Sequence, residues 1–173
     1  MKTPTKEEII DLFHMQPLLG EGGQWCQTYV SDEILPKSVI PGRSGDRPVG
    51  TGILFLITKD TYSRMHRLTS DETFHFYFGA AVEMVQLAPD GTGKKIRMGH
   101  DILNGEKVQV TVPRGVWQGT RLVGDNDYAL LGTTMCPGFD QSDYTNGYYD
   151  ELAKQYPAFA EELKFLCGEA KYE

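Results

Sequence analysis

The chain has 173 residues, 40% of them hydrophobic and 24% charged. That is ordinary globular usage, which excludes disorder, collagen and a bare coiled coil. A net charge of -7 with a pI near 5.1 gives no positive footprint for nucleic acid and no attraction to an anionic membrane.

Nineteen glycines and nine prolines point to many turns and a β-rich chain. No run reaches the roughly 20 apolar residues of a spanning helix. MKTPTKEEIIDLF carries acidic residues and no apolar signal core. Cys26, Cys136 and Cys167 are too widely spaced for a disulfide framework or a CxxC zinc site. A reducing, cytoplasmic setting is expected, with Cys136 a buried thiol.

In chain order, Thr5-Lys6-Glu7-Glu8 is a capping box ahead of Ile9, Ile10, Leu12 and Phe13, and predicts a helix over about 6–14. Glu21-Gly22-Gly23 is a turn, followed by a strand from Gln24 to Tyr29. Residues 41–48 form a polar loop bracketed by prolines. Strands are then expected over 53–58, 63–68, 73–78, 81–87, 94–98, 107–112, 117–122 and 128–134. Thr69-Ser70-Asp71, Gly79, Pro89-Asp90-Gly91, Asn104-Gly105 and Gly124-Asp125-Asn126 supply the turns. Many short strands at this spacing, with no long helix between them, predict a sandwich or barrel.

The tail reads as one or two helices over 148–155 and 157–167. Phe159, Leu163 and Leu166 form one apolar face, to be packed on the barrel or on a partner chain. No linker or repeat is visible. One domain over 1–173 is expected, with a barrel over about 22–140 and a helical tail over about 146–168.

Strand alternation groups the candidate residues. If His66 points inward, Arg64 and Leu68 share its face. If Glu72 points inward, Phe74, Phe76 and Phe78 do too, while His75 and Tyr77 point out. Gln118 brings Val116 and Thr120. His66, Glu72 and Gln118 amid aromatic residues make a concave, mainly apolar pocket with a few polar groups, the usual form of a small-ligand site. Asp140 and Asp143 are candidates to order a loop at the barrel mouth.

Two segments resemble the paired motifs of the cupin superfamily. His66-Arg67-Leu68, Glu72 and Gly79 keep the spacing of H-x-H, Glu, Gly, with Leu68 at the second His. Pro113-Arg114-Gly115-Val116-Trp117-Gln118 keeps P-x-G and places Gln118 at the next His. Together with 21–23, 63–79, 87–91, 112–122 and 136–144, the chain resembles a small single-domain cupin family of uncharacterised function over about 8–165. The resemblance implies an all-β double-stranded β-helix, or jelly roll, with short N- and C-terminal helices, usually a homodimer. Leu19, Gly20 and Gln27 stand where that family more often has His, Pro and Glu.

Metal-binding cupins offer three His and one Glu, and Leu68 cannot coordinate. No cofactor is therefore expected; His66, Glu72 and Gln118 would give a divalent ion only a weak, solvent-completed site. The chain is also similar, at superfamily level, to metal-free keto-sugar epimerases, which use a barrel His as base and a Tyr. His66, oriented by Glu72, would be the base here. Gln118, Arg64, Phe74, Phe76 and Tyr29 would bind substrate, and Tyr29, Tyr77 and Tyr144 stand as unranked tyrosines. The expected function is a small-molecule pocket protein, with metal-independent isomerase or epimerase chemistry on a polar or sugar-derived carbonyl compound. A non-catalytic binding protein and a metal-dependent cupin enzyme are the alternatives.

Overall fold

The computed structural model describes residues 3–124 and 127–168. Asp125 and Asn126, in the turn expected before the last long strand, lie outside the described residues.

Helix α1 (Lys6–Phe13) starts as its capping box dictates. The Glu8 N–H donates to Thr5 Oγ1 at 3.2 Å, and the Thr5 N–H donates back to Glu8 Oε2 at 2.8 Å. The strands follow as β1 (Gln16–Pro17), β2 (Gln24–Val30), β3 (Ile34–Leu35), β4 (Arg47–Pro48), β5 (Thr51–Thr58), β6 (Ser63–Leu68) and β7 (Glu72–Gly79). Next come β8 (Val82–Leu87), β9 (Gly93–Met98), β10 (Gln109–Val112), β11 (Trp117–Leu122), β12 (Tyr128–Met135) and β13 (Tyr144–Asn146). Helices α2 (Tyr149–Gln155) and α3 (Ala160–Leu166) end the described chain. No helix among the described residues is long and apolar enough to cross a membrane.

Two sheets face each other. One has the order β1-β2-β5-β12-β7-β10 and the other β13-β6-β11-β8-β9; β3 and β4 form a small separate ribbon. From β5 to β8 and again from β10 to β13, each successive strand changes sheet. The neighbours within a sheet are therefore distant in sequence, which is the jelly-roll winding. The expected all-β jelly roll is what the chain forms. The short strands β1, β3, β4 and β13 are additions to the expected set; each is two or three residues long and carries too little pattern to be seen in sequence.

Between the sheets lies a core of Phe55, Ile57, Phe74, Phe76, Val82, Met84, Met98, Val110, Val112, Ala129 and Leu131. Helix α1 covers one outer face, where Ile9 and Met15 meet Leu56, Tyr128 and Leu130. The tail covers the outside of the smaller sheet. Leu152, Tyr156, Leu163 and Leu166 pack on Met65, Val85 and Leu87, with Trp117 and Phe159 at the edge. Gly119 permits this approach, because a side chain there would crowd Leu166 and Met65. Cys136 is exposed, not buried. Strand alternation turns Met135 into the barrel and carries the next residue out.

Candidate functional site

A cavity of about 220 Å³ opens at one end of the barrel. Its wall includes Trp25 and Gln27 from β2, Ile53 and Phe55 from β5, His66 and Leu68 from β6, Glu72 and Phe74 from β7, and Thr133 and Met135 from β12. Leu18 and Glu21 come from the segment before β2. Phe139 and Gln141 come from the loop after β12. β2, β6, β7 and β12 each contribute alternate residues, as the pleat requires, while β5 also adds Thr51 and Gly52 at its start.

His66 is almost fully buried. Its Nδ1 lies 2.7 Å from the Arg64 carbonyl oxygen. A carbonyl can only accept, so Nδ1 carries a proton, and in the neutral imidazole the lone pair is on Nε2. Nε2 has no hydrogen-bond partner among the described residues. The imidazole is stacked on the Tyr144 ring, with centroids 5.0 Å apart and planes 18° from parallel. The Tyr144 hydroxyl donates to Asn146 Oδ1 at 3.0 Å. Burial, followed by the charge of Glu21, keeps this phenol protonated well above its ordinary range.

Glu72 faces His66 from the opposite sheet. Gln118 Nε2 donates to its Oε2 at 2.6 Å, and the Thr133 hydroxyl also bonds it. Gln118 is set beside His66 by the β6–β11 pairing and beside Gln86 by β8. Burial pushes the Glu72 carboxyl above the usual range. The positive charge His66 can carry and the two hydrogen bonds pull the other way, and the charge of Glu21 adds to the rise. Two buried oxygens nearby, Gln118 Oε1 and Thr120 Oγ1, have no hydrogen-bond partner among the described residues. Each calls for a donor from water or ligand.

Glu21 sits at the wall because of the turn that follows it. Gly22 and Gly23 have φ of 105° and 76°; a Cβ would strike the Tyr62 carbonyl at the first and the Phe55 ring at the second. Glu21 Oε1 accepts from Ser63 Oγ at 2.7 Å and lies 4.0 Å from His66 Nδ1.

The loop bearing Phe139 and Gln141 is held by a buried ion pair. Arg47 Nε and Nη2 donate to Asp143 Oδ2 and Oδ1 at 2.8 and 3.0 Å. Burial alone would raise the Asp143 carboxyl, but bonds from Arg47 and Thr69 and the nearby Arg43 hold it below the usual range. Asp140 accepts from the Ser142 N–H and hydroxyl. Both aspartates order the loop.

The structure brings together His66, Glu72, Gln118 and Phe74, and leaves the other three candidates apart. Tyr29 is exposed outside the larger sheet. A bulge between Gln27 and Tyr29 leaves Gln27 on the cavity and turns Tyr29 away. Phe76 points inward but is packed in the core beyond the cavity floor. Arg64 is off the cavity wall; its charge acts on Tyr144 and Cys167. Of the three tyrosines, Tyr144 is the one beside His66. His75 faces outward, accepting from Gln109 at Nδ1 and meeting the Thr134 hydroxyl through Nε2.

The donor set does not fit a tightly held transition metal. Leu68 offers no donor atom, and Gln118 could offer only its neutral amide oxygen where metal-binding cupins have an imidazole. Among the described residues no three His, Cys, Asp or Glu side chains are grouped to share an ion.

Comparison with known proteins places this arrangement. The chain is 29% identical over 158 residues to an uncharacterized protein of Saccharomyces cerevisiae, YML079W, covering 85% of this chain and 79% of the relative. A hypothetical protein from Leishmania major superposes with a TM-score of 0.86 at 25% identity, covering 96% of this chain and all of the other. Protein SO0799 from Shewanella oneidensis superposes at 0.83 with 24% identity, over 99% and 100% of the two chains, and supports the same fold. Residues 7–147 match the family described as Cupin superfamily (DUF985), and the chain belongs to that family.

Proposed function

We propose that this protein is a metal-independent isomerase that moves a proton next to the carbonyl group of a small molecule held in the cavity. The observation that carries the reading is the state of His66. With Nδ1–H fixed on the Arg64 carbonyl, it is Nε2 that the neutral imidazole presents as a base. Glu72 supplies the opposite property. Its burial keeps the carboxylic acid protonated to higher pH than usual, so it can donate where His66 accepts.

The proton count closes with these two groups. His66 Nε2 takes a proton from the carbon beside the carbonyl. The C–H electron pair becomes the new C=C bond as the carbonyl oxygen takes the Glu72 proton, giving an enol. In return, the enol O–H proton goes back to the Glu72 carboxylate and the imidazolium protonates carbon. If the neighbouring carbon bears a hydroxyl, the imidazolium can instead protonate the former carbonyl carbon while that hydroxyl gives its proton to the Glu72 carboxylate and becomes the new carbonyl. One base serves a shift of this kind.

The test is proton exchange in D₂O, followed by NMR on a panel of small ketones with wild type, His66→Ala and His66→Gln. Both substitutions are expected to lower catalysed exchange by about 10²–10⁴-fold. Normal exchange in both would remove His66 from the mechanism. Saturable binding without exchange in the wild type would favour a binding protein instead.

A further inference from the structure

We infer that the cavity takes an uncharged, largely apolar carbonyl compound of about ten heavy atoms and turns anions away. This rests on the isomerase reading and names its substrate class.

Size sets the first limit. An apolar cavity of about 150 Å³ holds benzene; at about 220 Å³ this one encloses on the order of nine or ten heavy atoms. A nucleotide-linked sugar is several times larger. The walls set the second. Trp25, Phe55, Phe74 and Phe139 present aromatic surfaces, which suit a flat apolar body better than a polyhydroxylated one.

Charge sets the third. Among the described residues, the ionisable side chains on the wall are Glu21, His66 and Glu72, and no Lys or Arg lines it. The two guanidiniums near the mouth lie off this wall, with Arg43 Nε buried and unpartnered among the described residues. Arg47 is buried on Asp143 and Ser142, and Arg43 donates to the Thr69 carbonyl and Ser70 Oγ. An anion entering here would lose hydration, find no guanidinium or ammonium on the wall, share the one imidazole with Glu21, and face the Glu21 carboxylate. A neutral ketone loses little, because Glu72 can donate to its oxygen.

The test uses two ligands of ten heavy atoms each, phenylacetone and phenylacetate, titrated into the full-length protein at neutral pH by calorimetry or NMR shift. Phenylacetone is expected to bind at least about tenfold more tightly, and Glu21→Gln to narrow the gap by strengthening phenylacetate binding. Phenylacetate binding as tightly as phenylacetone would overturn the inference. So would binding of it that is lost in Arg64→Gln, because that would put Arg64 into the cavity. Failure of both ligands to bind at millimolar concentration would overturn it too. Deuterium entry at the phenylacetone methylene is read separately. Selective binding without exchange would sink the isomerase reading and leave the charge selection intact.

Discussion

The two ends of the barrel are built on the same strands and do opposite things. β5 carries Ile57 at one end and Ile53 at the other; β7 carries Phe76 and Glu72; β12 carries Ala129 and Thr133. On the opposing sheet, the inward residues of β8 run Val82, Met84, Gln86, and those of β11 run Leu122, Thr120, Gln118. Both strands turn from apolar to polar toward the same end. Where both sheets are apolar the space is filled; where the polar residues meet, a cavity remains, walled in part by aromatic rings. Fold and site are thus separated along the barrel axis. The closed end can hold the sheets together while the open end carries groups that a packed core would not tolerate.

This separation can be broken by substitution. Phe76→Ala at the closed end is expected to cost about 3–5 kcal/mol in chemical denaturation, because its neighbours are close-packed on all sides. Ile53→Ala faces the cavity, where contacts are already missing on one side, and is expected to cost roughly 1–2 kcal/mol. Equal losses would mean that the open end is as much a structural core as the closed one. Arg47→Met tests the loop that walls the open end. It leaves the buried Asp143 with only the more distant Arg43, 4.0 Å away, and is expected to cost about 3 kcal/mol. Ligand affinity should fall with it, since Phe139 and Gln141 ride on that loop; unchanged affinity would show that the loop is not part of the binding wall.

The sequence made the strand-borne half of the site readable. The spacing of His66, Leu68, Glu72 and Gln118 survives the loss of two histidines, and strand alternation correctly turns Phe74 in and His75 out. Tyr29 was unreadable because one bulge reverses parity, and no single-sequence pattern marks that bulge. Phe76 has the right parity, but depth along the axis depends on which residues of the other sheet fill the space. Alternation would give Arg64 the face of His66, but the β6–β11 register shifts between His66 and Ser63, so parity does not carry across to Arg64, whose charge acts on Tyr144 and Cys167 instead. The rest of the wall comes from connections. Glu21 is held by a glycine turn, and Phe139 and Gln141 by an ion pair between residues 96 positions apart. Contacts of that range follow from the assembled fold, not from any local run of residues.

The smallest effect tests the chemical contrast most directly. A carboxyl whose folded pKa is raised holds its proton more tightly in the folded state than in the unfolded one. Between the unfolded value of about 4.3 and the raised folded value, the folded protein binds more protons. The Glu72 contribution to stability is therefore full below that window and is lost as pH rises through it. Each unit of displacement is worth about 1.4 kcal/mol. Glu72→Gln keeps the shape, cannot ionise, and can still pair with Gln118 through either end of its amide. Melting curves of wild type and variant should thus diverge from acid toward neutral pH, with the variant gaining relative stability as the wild-type carboxyl is forced to ionise. Parallel curves would mean that Glu72 ionises as an ordinary surface carboxyl does. In that case it is not the proton donor at the open end, and His66 would act without an acid partner.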